Sequence, residues 1–471
     1  MALTRREFLL RSFGAMGAAT LALERFGMVN AFAQSADYKA LVCIFLFGGS
    51  DQNNVLVPFD NYADYAVLRP TAATLSIPQA NLLPITPQTA GATFGLHPSL
   101  AGIKQLWDQQ KAALVCNVGP LVQPTTRAGY INGSARLPFN LFSHSDQQTE
   151  WQTSLANGFI STGWAGRTAD AIADLYQAST GFPIQVSVAG TPIFTTGVTE
   201  SPLAISPAPT PIQSALRLDG FGTTPENNPR YQAMLNIQGI DDGFTVVRGA
   251  NQITNKAVQI TALLRSVTEP ILTGFPATGL GNQLLQVAKL ISLRNTLGIK
   301  RQIFFCSLGG FDTHNNQVNG ADATLGTHAG LLAQVGDAIK AFYDATVALG
   351  VDSQVTTFTM SDFSRTGKAN GGVGSDHAWG SHQIVAGGAV RGGDLFGERG
   401  PNNTVFPTLV AGGPDDTDSG TNARGRWIPT TAVDQFGATL ATWFGVPSAD
   451  MPGVFPNLAN FGSATNLGFV I

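Results

Sequence analysis

Uninterrupted runs of apolar residues along the chain predict buried strands. The clearest runs are residues 41–47, 113–119 and 355–360, which are rich in the β-branched and large apolar side chains that fit a pleated interior. Between such runs, residues 97–112 and 280–297 carry apolar side chains at helical spacing. Strands that alternate with helices predict an α/β fold with a doubly wound, mostly parallel central sheet and helices on both faces.

One stretch lacks this periodicity. Residues 191–242 are rich in Pro, Thr and Gly, and we predict an irregular insertion or lid there. With 471 residues, of which 44% are hydrophobic and only 12% charged, the chain can bury a large core. Residues 34–471 are therefore predicted to form one large domain that includes this insertion.

The N-terminus carries an export pattern. Residues 4–9 (TRREFL) match a twin-arginine motif, and the mildly apolar residues 13–23 are too short and too polar for a stable membrane anchor. Residues 31–33 (AFA) fit a cleavage site. We therefore predict that residues 1–33 are a signal peptide. The mature chain would begin near Gln34 and leave through the twin-arginine export machinery, which places it in the periplasm or outside the cell.

Charge and cysteine content exclude several classes of protein. The formal net charge of −4 gives no electrostatic reason to expect nucleic acid or an anionic membrane as partner. Cys43, Cys116 and Cys306 each lie inside an apolar run, where a free thiol packs as a small hydrophobe. Their odd number and wide spacing argue against a disulfide framework and against a zinc–thiolate site.

Acidic residues follow three of the predicted strands. Asp51 comes after residues 41–47 and a glycine pair, Asp312 follows a second glycine pair, and Asp362 ends the strand at 355–360. Because the carboxyl ends of parallel strands share one edge of a sheet, we expect these side chains to lie close together.

Imidazole side chains accompany these acids. His314 lies two residues after Asp312, and a Gly/Asn-rich loop then brings Asp376, His377 and His382. Carboxylate and imidazole ligands suit Zn²⁺, Mn²⁺ or Ca²⁺, as one ion or as two ions about 3.5–4 Å apart. The predicted ligands are Asp51, Asp312, His314, Asp362, Asp376, His377 and His382. In the alternative interpretation each Asp is a turn former or helix cap, and each His is simply packed.

A hydroxyl-rich segment precedes one predicted helix. Ser143, His144, Ser145 and Asp146 lead into residues 147–156. Ser143 or Ser145 can cap this helix together with Asp146. A hydroxyl at a helix N-terminus is also well placed for a nucleophile that must meet an anion, so both roles remain open.

These motifs together resemble a known family. The chain is similar to the bacterial family catalogued as domain of unknown function 1501, and the resemblance covers nearly the whole mature chain. The matching motifs are residues 48–51 (GGSD), 143–144 (SH), 309–314 (GGFDTH), 361–366 (SDFSRT), 376–382 (DHAWGSH) and 428–431 (IPTT). That family in turn resembles the alkaline phosphatase and sulfatase superfamily, which implies an alkaline phosphatase-like fold with a one- or two-metal site.

The resemblance also implies roles for individual residues. Asp51 and Asp362 would bind one ion, whereas Asp312, His314 and either His382 or His377 would bind the other. Ser143 would be the nucleophile, with His144 nearby as a catalytic residue. Phe363 stands where the superfamily usually has a histidine, so one ligand is either missing or replaced from the later loop. A C/S-x-P-x-R sequence is absent, which argues against a formylglycine sulfatase.

The sequence therefore predicts an exported metal-dependent hydrolase that acts on a small or polymeric phosphate or sulfate ester. The ions would neutralise the ester oxygens, Ser143 or a hydroxide would attack, and a loop histidine such as His377 would assist the leaving group. The alternative is a non-catalytic exported binding or assembly protein that keeps the hydrolase fold.

Overall fold

The computed structural model describes residues 38–70, 75–89, 91–216, 227–240, 244–320, 322–463 and 465–471. The twin-arginine and cleavage motifs of residues 1–33 lie outside the described residues. The strands are β1 (Lys39–Leu46), β2 (Leu56–Pro58), β3 (Leu83–Ile85), β4 (Phe94–Leu96), β5 (Ala112–Gly119), β6 (Gln185–Ser187), β7 (Leu203–Ala204), β8 (Arg301–Leu308), β9 (Val355–Ser361), β10 (Ser381–Gly387), β11 (Leu395–Phe396) and β12 (Thr431–Ala432).

Helices alternate with these strands along the described chain. They are α1 (Tyr62–Leu68), α2 (Ala101–Asp108), α3 (Arg127–Ile131), α4 (His144–Thr153), α5 (Trp164–Tyr176), α6 (Pro229–Gln238), α7 (Thr245–Ser266), α8 (Gly279–Ser292), α9 (Thr327–Ala348), α10 (Val433–Phe444) and α11 (Met451–Val454). None of the helices in the described ranges is both long enough and apolar enough to cross a membrane.

The central sheet is mixed but mostly parallel. Its strand order is β11-β5-β10-β9-β1-β8-β6-β7, and β12 also pairs with β5. Strand β10 is antiparallel to both β5 and β9, whereas the other described pairs in this sheet are parallel. The predicted α/β class is confirmed, with one reversed strand. Strand β10 is buried along its whole length, so its hydrophobic pattern carries no information about direction.

Helices cover both faces of this sheet. Successive side chains of a strand point to opposite faces, so Val42 and Ile44 of β1 join a core with α2, α8 and α9. Cys43 and Phe45 join a second core with α5 and α10. The predicted doubly wound arrangement is therefore present, and the three cysteines are free and buried as expected.

The segment 191–242 is not wholly irregular. It contains β7, which extends the central sheet beside β6, and the helix α6, none of whose side chains is buried. Neither element could be predicted from the hydrophobic pattern, because β7 has only two residues and α6 lacks an apolar face.

Candidate metal centre

The loops after β1 and β8 approach each other closely at the carboxyl edge of the sheet. Gly48 has a φ of 111°, and a Cβ added there would lie 2.3 Å from the backbone nitrogen of Asp312. Only glycine fits such a position. Strands β1 and β8 are neighbours in the sheet, so this contact places Asp312 next to the end of β1.

Arg365 holds three loops together beneath the site. Its guanidinium is fully buried and donates to the carbonyls of Gly49 (2.9 Å), Gly48 (2.5 Å) and Ser375 (2.7 Å). It also donates to Oδ1 of Asp312. Burial alone would raise the pKa of Asp312, but the hydrogen bond and charge of Arg365 hold this pKa below its usual value. The sequence motif contains Arg365 but gave no sign of this role.

Three imidazole rings direct their Nε2 atoms toward the Asp312 carboxylate. The distances from Asp312 Oδ1 to Nε2 are 3.3 Å for His314, 3.4 Å for His144 and 3.9 Å for His377. The Nε2 atoms of His314 and His377 lie 2.8 Å apart. Donor atoms of His144, Asp312 and His377 all lie within 4.8 Å of one another. We call the side chains of His144, Asp312, His314 and His377 the metal-centre cluster.

Each imidazole of the cluster is fixed from behind by an acceptor at Nδ1. The Nδ1 atom of His144 lies 2.7 Å from Asp362 Oδ2, and that of His314 lies 2.9 Å from Asp376 Oδ1. The Nδ1 atom of His377 lies 2.7 Å from a backbone carbonyl. A neutral imidazole that donates from Nδ1 keeps its lone pair on Nε2. This is the arrangement that protein histidines adopt when they bind metals.

The residues of the cluster fit a cation. When all three rings donate from Nδ1, three Nε2 lone pairs and one carboxylate oxygen converge on a single region, and such groups repel one another unless a positive charge lies between them. The Nε2 atom of His144 is buried and has no hydrogen-bond partner. Two of the acceptors behind the rings are carboxylates, which raises the basicity of the ligating nitrogens.

Local pKa values favour the protonation states that cation binding requires. Burial lowers the pKa of His377 to about 4, so this ring is neutral at pH 7. Burial alone would raise the pKa of Asp376, but hydrogen bonds from Asn370 and His314 and the charge of Arg424 lower it to about 2. Asp376 is therefore ionised and can accept the Nδ1 proton of His314.

The structure divides the predicted site residues into two layers. Asp312, His314 and His377 contribute donor atoms to the cluster. Asp362 and Asp376 lie one step behind, where they accept hydrogen bonds from imidazoles. His144 was predicted as a catalytic residue on the strength of the resemblance. Its Nε2 instead lies among the candidate ligands.

Phe363 occupies the space between two of the imidazoles. Its ring centroid lies 4.7 Å from that of His144 and 4.7 Å from that of His377. Gly49 makes room for it, because a Cβ on Gly49 would lie 2.4 Å from the phenyl ring. Phe363 is therefore an apolar support between the two rings, and the later loop brings His377 to its side.

Asp51 requires a correction. It was predicted as a ligand, but its carboxylate is fully buried in a bidentate ion pair with Arg69. The two guanidinium nitrogens of Arg69 lie 2.7 and 2.8 Å from the two carboxylate oxygens. Gln317 donates a further hydrogen bond to it. Burial alone would raise the pKa of Asp51, but Arg69 lowers it. Both carboxylate oxygens of Asp51 are therefore engaged by Arg69 and Gln317 and not by the imidazoles of the cluster.

His382 also lies outside this cluster. It is the second residue of β10, where its Nδ1 accepts the backbone N–H of Asn117 at 3.1 Å. Its ring stacks on Phe406 with centroids 5.0 Å apart. The prediction of His382 as a ligand is corrected, because its ring is engaged by the Asn117 backbone and by Phe406.

His382 should make the folded protein sensitive to acid. Burial lowers its pKa to about 3, whereas an exposed histidine titrates near about 6.5. The unfolded chain therefore takes up this proton first, and stability is lost as the pH falls from about 6.5 toward 3. Between pH 7 and 5, the free energy of unfolding measured in urea should fall by about 1–2 kcal/mol less for His382→Gln than for the wild type. Equal losses would show that His382 is protonated in the folded state.

Ser143 lies directly before the cluster residue His144. It occupies the N-cap position of α4, but its hydroxyl does not cap the helix backbone. The hydroxyl instead donates to Asp146 Oδ2 at 2.6 Å and lies 3.1 Å from the hydroxyl of Ser145. The geometry is compatible with a helix start and with a hydroxyl paired to a carboxylate base.

Comparisons with known proteins agree with part of this picture. A family model described as "Protein of unknown function (DUF1501)" matches residues 227–403, the part of the chain that carries Asp312, His314 and His377. No curated protein matches the chain. The family description names no activity, so the chemistry has to follow from the side chains.

Some solved structures are distantly similar. The crystal structure of Ps i-CgsB in complex with k-i-k-neocarrahexaose matches at a TM-score of 0.33 and 9% identity, over 90% of this chain and 77% of that chain. The PsFucS1 sulfatase from Pseudoalteromonas sp. matches at a TM-score of 0.28 and 10% identity, over 80% of this chain and 67% of that chain.

Proposed function

We propose that the protein is a metal-dependent hydrolase of phosphate or sulfate esters that binds one divalent cation. The observation that carries this proposal is the convergence of three Nε2 atoms on Asp312, each ring fixed at Nδ1 by an acceptor. His144, His314, His377 and Asp312 would hold the ion. Three nitrogens and one oxygen suit Zn²⁺ or Mn²⁺ better than Ca²⁺, which prefers oxygen ligands.

The surroundings of the cluster favour an anionic substrate. The carboxylates Asp312, Asp362 and Asp376 are accompanied by two guanidinium groups, those of Arg365 and Arg424. With neutral imidazoles these groups leave one net negative charge, which a bound divalent cation reverses. A site with net positive charge attracts phosphate and sulfate esters.

The cluster is also open to substrate. The side chain of Asp312 is 52% exposed, whereas Asp362 behind it is fully buried. A divalent cation bound here would act as a Lewis acid that polarises an ester oxygen and favours attack on phosphorus or sulfur. Because the Nε2 atoms of His144 and His377 face the cluster, we assign these rings to cation binding rather than to proton transfer.

Ser143 is the proposed nucleophile. Its hydroxyl donates to Asp146, whose pKa is lowered mainly by the hydrogen bonds from Ser143 and Asn140. As the serine oxygen attacks phosphorus or sulfur, the ionised carboxylate accepts its proton, the bond to the ester oxygen breaks and the alcohol leaves with a proton from Asp146 or water. Water then hydrolyses the seryl ester and releases phosphate or sulfate. Ser143 is the residue before His144, which belongs to the metal-centre cluster.

Replacing Ser143 tests this assignment. We expect Ser143→Ala to lower kcat on nitrophenyl phosphate or nitrophenyl sulfate by about 100-fold or more, with unchanged metal content, because it removes the attacking oxygen. The matched control is Thr149→Ala, which removes an exposed hydroxyl from the same helix that donates to a backbone carbonyl and contacts neither Ser143 nor Asp146. If both variants turn over like the wild type, water is the nucleophile.

The same panel of esters separates the hydrolase from the alternative. One bound ion with turnover on nitrophenyl phosphate or sulfate supports the enzyme. A bound ion without turnover on either ester would instead fit an exported binding protein. Export itself remains a prediction from Arg5 and Arg6.

A further inference from the structure

A cavity lies at the same edge of the sheet as the metal centre. Its volume is about 670 Å³, and it is bounded by residues 124–128, 399–401, 414–415 and 428–430. The last of these segments leads into β12, which pairs with the carboxyl end of β5. Strands β5 and β9 run in the same direction and are separated by β10 alone, so their axes lie roughly 10 Å apart at a strand spacing of about 4.8 Å.

Two arginines connect the metal centre to the loop beside this cavity. Arg424 pairs with the carboxylate of Asp376, which accepts a hydrogen bond from a cluster histidine. The guanidinium of Arg426 lies over the ring of Phe142, 4.8 Å from its centroid. The carbonyl of Phe142 accepts the Nδ1 hydrogen bond of His377. Both guanidinium groups are partly exposed.

Two further arginines continue the series into the cavity. Arg127 donates to the carbonyls of Asp416 and Asp418, at 2.9 Å each, in the loop that also contacts Arg426. Arg127 and Arg399 both line the cavity, and Arg399 is exposed. We call the whole series the arginine track. It consists of Arg424, Arg426, Arg127 and Arg399.

Acidic residues beside the track are largely occupied by the backbone. Asp416 is fully buried, and its two oxygens accept four backbone N–H groups at 2.8–2.9 Å. Asp415 is buried and accepts the N–H of Thr408. Asp418 lies 3.5 Å from one nitrogen of Arg426 and also accepts a backbone N–H. The positive groups therefore remain more available to a ligand than the negative ones.

We propose that the substrate of the metal centre is a polyanionic glycan, a sugar chain with several sulfate or phosphate groups, which binds along the arginine track and into the cavity. This inference rests on the proposed function and names the substrate class. A single small ester needs only the centre itself. Guanidinium groups bind sulfate and phosphate with two parallel hydrogen bonds, so the four arginines of the track offer contacts to more than one anionic group.

The lining of the cavity favours a glycan over nucleic acid. Thr125, Thr126 and Thr430 line it, and no aromatic residue is among its described lining residues. Single-stranded nucleic acid is held by aromatic side chains on which its bases stack.

The test uses binding without turnover. The full-length mature chain, loaded with Zn²⁺, is titrated at low salt with dextran sulfate, unsulfated dextran and a single-stranded DNA oligonucleotide. Arg399→Gln is the main variant, because the described Arg399 side chain donates only to the carbonyl of Asn403. Arg391→Gln is the matched control, since this exposed arginine lies beside Gly392, which packs on Gln110 before the amino end of β5.

We expect dextran sulfate to bind and Arg399→Gln to weaken it about 3- to 5-fold, with a further loss of similar size when Arg127→Gln is added. The control should bind like the wild type, and unsulfated dextran should not bind. Equal affinities in all variants would overturn the inference, and so would an oligonucleotide that binds as tightly as dextran sulfate. Arg399-dependent binding without any ester hydrolysis would overturn the proposed function and leave polyanion recognition supported.

Discussion

Replacing Asp312 with asparagine is expected to reduce the affinity for Zn²⁺ by about 100-fold or more. The oxygen that faces all three imidazole Nε2 atoms would lose its charge, and the three lone pairs alone would have to hold the ion. The change keeps the shape of the side chain. Isothermal titration calorimetry of chelator-treated protein, together with elemental analysis, measures this effect.

A control variant separates ligand loss from general charge loss. Asp108→Asn also removes one carboxylate, but from an exposed i,i+4 pair with Lys104 on α2. It should bind Zn²⁺ like the wild type. If Asp312→Asn retains wild-type affinity and stoichiometry, the metal-centre cluster is not a cation site.

Replacing Asp51 with asparagine is expected to destabilise the fold by about 3–5 kcal/mol without changing the metal content of the folded protein. Arg69 would remain fully buried without its counter-charge. The pKa of Asp51 lies below its usual value, so the pair is ionised at neutral pH. Guanidinium chloride unfolding measures the loss of stability, and elemental analysis of the folded fraction measures the metal.

The same exposed pair provides the comparison for this second variant. Asp108→Asn should lower the free energy of unfolding by less than about 1 kcal/mol, because solvent screens a surface ion pair. An Asp51→Asn protein that folds with wild-type stability but loses its metal would contradict the structural role of Asp51. It would return Asp51 to the set of ligands that the family resemblance implies.

Part of the site follows from the sequence because sheet geometry is regular. A polar residue that ends a parallel strand lies at the same edge as those that end its neighbours. Strands β8 and β9 flank β1, so Asp312 and Asp362 meet at that edge although 50 positions separate them in the chain. The spacing of His314 and the loop position of His377 then bring imidazoles to the same place.

Other features could not be predicted, because they depend on partners that the local sequence does not reveal. Asp51 follows β1 after a short glycine-containing turn, at the same edge as Asp362, but Arg69 reaches it from the end of α1. His382 follows His377 by five positions, but it lies inside the reversed strand β10. The role of each group is set by which buried charge or strand meets it, and this becomes visible only in three dimensions.

The most direct test of the metal centre is a crystal structure of the Zn²⁺-loaded protein with anomalous scattering recorded at the zinc edge. The proposed arrangement predicts one anomalous peak at about 2.0–2.2 Å from Nε2 of His144, His314 and His377 and from an oxygen of Asp312. A peak at Asp51 or His382, or no peak at the cluster in protein shown to contain zinc, would contradict it.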